Sequence, residues 1–210
     1  MDREIRKWGQ TPFHPEMESD PISDPAAVSS FWFDTPQPDS PREVWFRKDP
    51  AFDAEIRERF GTTIDAALAG RLDHWEAAGP DSALALIVVL DQFTRNVFRD
   101  TADMFAGDAR ALAIARRLVD TGADRQLTPV QRWFAYLPFE HSESLADQDL
   151  SVELFDELRA YPVSAGAYDW AVSHRDVIRR FGRFPHRNEI LGRKSSAKEL
   201  AFLETPGSRF

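Results

Sequence analysis

The chain has no cysteine, and that absence closes several chemistries at once. Disulfides, thiolate nucleophiles and Cys-ligated zinc are excluded together, and the composition fits a reducing compartment. Long apolar runs are missing too. The longest, Ala83 to Leu90, is far too short to span a bilayer. The N-terminal stretch MDREIRKWGQ lacks the apolar segment of a signal peptide, so a cytoplasmic protein with no membrane partner is expected. Strand-like alternation of useful length is absent, which leaves helices. A net charge of −9 disfavours generic nucleic-acid binding, and no nucleic-acid partner is expected.

What is present fits one soluble domain. The 210 residues can bury a sizeable core, and sixteen Phe and six Trp supply much of it. Residues 1–23 carry Pro12, Pro15 and Pro21 among alternating charges and read as a partly mobile N-terminal arm. Residues 24–210 read as a single all-helical domain. Asp24-Pro25 and Asp49-Pro50 each place an N-cap before a proline at the first helical position. The second helix is expected to stop at Gly61 and a third to run over 63–75. A central helix is expected over 82–97, capped by Asp81 or Ser82 and apolar nearly all round before it turns into Asp91-Gln92-Phe93-Thr94-Arg95-Asn96. Leu84, Val88, Asp91 and Arg95 share one stripe, so the last two continue a buried face within reach of each other. Asp108 opens a further helix. Thr128-Pro129-Val130-Gln131 and Ser196-Ala197-Lys198-Glu199 are capping boxes, and Pro138 is expected to kink or end the helix that the first one starts. The last long helix spans about 164–181, with Gly182 as its stop. The sum is about eight or nine helices, most simply packed as antiparallel pairs.

Three segments break this amphipathic pattern: 91–96, 141–143 and 174–188. From His174 to Lys194 there are seven Lys/Arg against two acids, so this block is +5 and the remainder −14. One reading has the segments converge on a cleft for a small anion, since guanidinium groups take phosphate or carboxylate bidentately. Arg95, Asn96, Arg180, Arg183, Arg187 and Asn188 are its candidate ligands. His141 and His186, in loops, are candidate catalytic groups, and Asp91, Gln92, Glu143 and His174 their support. Asp91 or Glu143 is the expected partner of His174. The other reading makes the same residues a structural polar core of a helical scaffold that binds a protein partner. No metal or other cofactor is expected, because HExxH-type spacing is absent and the arginines repel a cation. The His141-Ser142-Glu143 match to the HxE of zinc deaminases fails without a PCxxC partner. Nothing visibly activates Ser142 as a nucleophile, and GxxxxGK[ST], GxGxxG and GxSxG are absent.

LDQFTRNVFR at 90–99, FEHSESL at 139–145 and HRDVIRRFGRFPHRNEILGR at 174–193, with a WF pair near the N-terminus, resemble the bacterial domain of unknown function 924 family. The resemblance covers about residues 26–204. It implies a tetratricopeptide-like, all-helical architecture and no known reaction. Thr94 stands where that family commonly has proline, and Ser144 where it commonly has an acid.

Overall fold

The computed structural model describes residues 22–35 and 38–208, so the arm expected over 1–23 lies outside the described residues except for Ile22 and Ser23. These residues form one all-helical domain with no strand among them. The α-helices in chain order are α1 (Pro25–Phe33), α2 (Pro50–Leu68), α3 (His74–Ala77), α4 (Pro80–Ile87), α5 (Thr94–Val97), α6 (Asp108–Thr121), α7 (Pro129–Glu140), α8 (Leu145–Leu158), α9 (Ala167–Phe181) and α10 (Ala197–Leu203). Short 3₁₀ turns fill several of the links.

The rod from α4 to α5 is the axis of the molecule. Every residue from Ala83 to Asp91 is buried, as an all-round apolar helix must be. α1, α3, α6 and α7 pack on α4. The rod is not uniform: Val88–Phe93 is π-helical, with α2, α5 and α6 against it. Such a widened turn is rare in helices and frequent at functional sites. Thr94, in place of proline, returns its hydroxyl to Leu90 O at 2.8 Å and so supports the turn. Trp32, Phe93 and Trp45 gather around the rod with Phe134, which meets Trp45 with ring centroids 4.6 Å apart.

A second layer, α7–α8–α9, folds back and forth. Tyr136 meets Phe155 while Gln148 reaches Glu140, and Arg159 lies over Tyr168 while Arg179 reaches Asp149. Both pairs are therefore antiparallel. Thr128 and Ser196 form the two capping boxes, and Asp24 and Asp49 cap α1 and α2.

Several expected boundaries move. α2 runs through Gly61, because Phe60 and Ile64 keep one buried stripe and outweigh the roughly 1 kcal/mol cost of a helical glycine. The helix expected over 63–75 is instead the end of α2, a turn with Gly70 at φ 74°, and the short α3. Neither Asp81 nor Ser82 caps α4; Gly79 precedes it, with Pro80 at its start. α7 continues through Pro138 to Glu140, giving up the one bond to Phe134 O that a proline cannot donate, while Phe134, Ala135, Tyr136 and Phe139 of the same turns stay buried. α9 begins at Ala167, behind a turn.

The chain leaves α9 through Gly182 at φ 70°, a left-handed stop that sends residues 183–196 back across the ends of α7 and α9. Glu199 fixes this segment. It receives Arg183 as a fork (Nε 2.6 Å, Nη2 2.9 Å) and completes the capping box with Ser196. Glu199→Ala is expected to cost about 1–3 kcal/mol, from the lost cap and charge-assisted bonds. Urea unfolding reads the loss, and limited proteolysis should cut first between 183 and 199.

Candidate functional site

The site grows from Asp91. The π turn brings its carboxylate, fully buried, to face α7 and α6. Oδ1 accepts from His141 Nδ1 at 2.8 Å and is ion-paired with Arg95 Nη1 at 3.0 Å, which donates to the Asp91 carbonyl at 2.6 Å, and Oδ2 accepts from Gln92. Burial alone would raise the Asp91 carboxyl, but Arg95 and His141 hold it well below the usual carboxylate range. Arg95 also forks onto Asp108 at the start of α6, at 2.8 and 3.0 Å. Because His141 meets a carboxylate through Nδ1, that nitrogen carries the proton and Nε2 keeps its lone pair. Among the described residues, Nε2 has no hydrogen-bond partner. Burial and the Arg95 charge lower the His141 pKa despite Asp91, so the ring stays neutral.

Arg187 closes the other side. Its guanidinium lies over Phe184 and Phe105, 4.5 and 4.7 Å from the ring centroids. Among the described residues its one ion pair is long, Nη1 to Asp108 Oδ2 at 3.6 Å, and its buried Nε has no partner. Burial, with the Arg95 charge adding, brings its pKa down to about 10. Phe184 also meets the His174 and His186 rings, at 5.6 and 5.5 Å. The edge formed by Arg95, Asp108 and His141 reaches solvent, these side chains being 16 %, 23 % and 15 % exposed.

The structure thus brings together Asp91, Gln92, Arg95, His141, His174, His186 and Arg187, and sends the other candidates elsewhere. Asn96 donates to Asp53 on α2 at 2.7 Å, beside Arg99. Arg183 and Asn188 belong to the Glu199 clamp. Arg180 is exposed and lies over Phe181 and Phe202. Glu143 is not the partner of His174: it takes a fork from Arg193 at 2.6 and 2.9 Å and accepts from Phe184 N–H at 2.8 Å. Nor does Asp91 pair with His174. His174 Nδ1 donates to Trp170 O at 2.9 Å, with Glu140 Oε1 at 3.3 Å. Burial lowers its pKa to about 3.

Three residues outside the candidate site read from the sequence matter here: Asp108, Glu140 and Arg193. Asp108 reads locally as a helix start, and its carboxylate turns instead to Arg95 and Arg187. Glu140 had a visible signal, an acid four residues after Tyr136 on a buried face. Among the described residues no group of three or more His, Cys, Asp or Glu is placed to hold a metal ion, and no helix is long and apolar enough to cross a membrane.

An all-helical domain organised around a buried carboxylate–imidazole–guanidinium cluster is the class that fold and site define. The comparisons narrow it. The model of the family described as "Bacterial protein of unknown function (DUF924)" matches residues 28–207, and the chain belongs to that family. A solved structure, the protein of unknown function ATU0120 from Agrobacterium tumefaciens, is 39% identical with a TM-score of 0.76. The match covers 86% of this chain and 96% of that one. No curated protein matches the chain.

Proposed function

We propose that the cluster of Arg95, His141 and Arg187 binds a small anion, phosphate or carboxylate, and that His141 serves there as a proton acceptor. The observation that carries this reading is Arg187. A guanidinium this buried, beside a second guanidinium and served by one long ion pair, lacks the compensation that desolvated charge demands. An anion supplies it. His141 Nε2, a lone pair held in place through Nδ1 by Asp91, is the geometry of a general base. The site is narrower than the sequence implied, since Arg180, Arg183, Asn96 and Asn188 have other work.

The test is thermal unfolding with phosphate and small carboxylates, for the protein and for Arg187→Met, which keeps an apolar stem against Phe105 and Phe184. A ligand at 100 times its dissociation constant adds about 2.7 kcal/mol of stability. The shift is expected in the parent chain and lost in Arg187→Met. Equal shifts in both would overturn the assignment.

One set of contacts favours a second reading, a tetratricopeptide-like scaffold for a protein partner. Arg95, Arg183 and Arg193 each fork onto a carboxylate of their own chain, as a structural polar core would require. On that reading no anion stabilises the fold, and the Arg187→Met variant behaves as its parent.

A further inference from the structure

The seam where α7, α8 and α9 meet, behind His141, holds a set of polar groups that the anion site does not use. Glu140 is buried, its Oε1 lies 3.3 Å from His174 Nδ1, and its Oε2 has no partner among the described residues. Across the seam, Gln148 on α8 is also buried. Its Nε2 donates to the carbonyls of Glu140 and Ser142 at 2.6 and 2.7 Å, which fixes the amide. Gln148 Oε1 is therefore a true acceptor, and among the described residues it has no donor. Ser151, one turn further along α8, has an unpartnered buried hydroxyl. The register sets these at one level: Tyr136 meets Phe155, so Glu140, one turn on, lies level with Ser151 and Gln148.

An ionised Glu140 leaves two buried acceptors in this seam, its own Oε2 and Gln148 Oε1, with a single donor for both, the Ser151 hydroxyl. One proton on Glu140 removes the mismatch. We propose that the seam is a proton-binding site in which Glu140 is kept as the neutral acid, with Oε1 beside His174 Nδ1 and an Oε2–H donor presented toward the acceptors of α8. Its surroundings favour this. The titratable and charged groups that face the pair are Asp91 from the π turn, His141 beside Glu140, and His186 and Arg187 from the segment after α9. Asp91 is negative, His141 and His174 are held neutral, and Arg187 is turned to Asp108. Burial, with the Asp91 charge adding, pushes the Glu140 carboxyl up to about 8.

The consequence has a definite sign. A carboxyl raised in the folded state contributes its full stability below its ordinary value of 4.5 and loses it as pH rises toward 8. Glu140→Gln keeps the shape of the neutral acid and cannot ionise. Its urea midpoint should match the parent at pH 5 and climb progressively above it at pH 6, 7 and 8. The opposite result, a midpoint that falls further below the parent as pH rises, would mean that the fold uses a Glu140 carboxylate. A second measurement avoids the variant altogether. The ¹³C shift of the Glu140 carboxyl in the intact chain should titrate with a midpoint above 7, and a midpoint near 4.5 overturns the proposal. Neither experiment contains an anionic ligand, so this inference stands or falls apart from the anion-binding reading.

Discussion

Asp91→Ala is expected to lose about 3 kcal/mol of stability, the lower end of what breaking a buried ion pair costs, because Arg95 keeps Asp108. The side chain is fully buried and serves His141, Arg95 and Gln92 together, so its removal strands a desolvated imidazole N–H and takes one of two carboxylate charges from Arg95, which keeps Asp108 and the carbonyl of residue 91. Nothing nearby can replace it: Glu140 is turned to His174, and Glu143 to Arg193. Asp91→Asn keeps the volume and an acceptor for His141, and should lose less. Urea unfolding of the two variants measures both costs. An Asp91→Ala protein within about 0.5 kcal/mol of its parent, the usual range of an innocuous surface change, would contradict the picture of a buried network.

Gly107→Ala carries the other large effect. A Cβ at position 107 would lie 2.1 Å from Leu90 O, 2.8 Å from Leu90 C and 2.9 Å from Leu90 Cα. All three are backbone atoms, so no rotamer change relieves the clash, and α6 must move off the rod. Overpacking of this kind costs about 1–3 kcal/mol, and more where backbone meets backbone. The upper figure or beyond is expected here. Leu90 belongs to the π turn beside Asp91, and Gly107 precedes Asp108, so the same displacement pulls the two carboxylates that share Arg95 apart. The variant should therefore lose both stability, read by thermal unfolding, and the anion-induced shift. A Gly107→Ala protein that melts with its parent would contradict the close approach.

The helix starts were legible because they are local. Asp24, Asp49, Thr128 and Ser196 bond to amides two or three residues away, and sequence spacing reports such contacts directly. The alignment of Asp91 with Arg95 was legible for the same reason, although the π turn between them was not. Partners chosen by packing could not be read. His174 takes Glu140 rather than Glu143 because the end of α7 meets the middle of α9, and no spacing encodes that meeting. Arg183 and Asn188 go to Glu199, whose cap was visible while its second duty was not. Gly61 looked like a terminator, but a glycine ends a helix only where burial does not carry the helix past it. Four of the expected anion ligands were thus misplaced by tertiary contacts, while the core of the cluster sat where helical periodicity put Asp91 and Arg95.

The most direct test of the anion site follows two atoms that it leaves without partners in the described structure. Arg187 Nε–H and His141 Nε2 can be observed by ¹⁵N resonance during titration with inorganic phosphate at pH 7. The account predicts that both signals move together along one saturable curve, and that in Arg187→Met the His141 signal barely moves. If both resonances stay fixed up to high phosphate while the protein remains folded, the guanidinium–imidazole cluster is structural, and its role is to hold the C-terminal segment on the helical body.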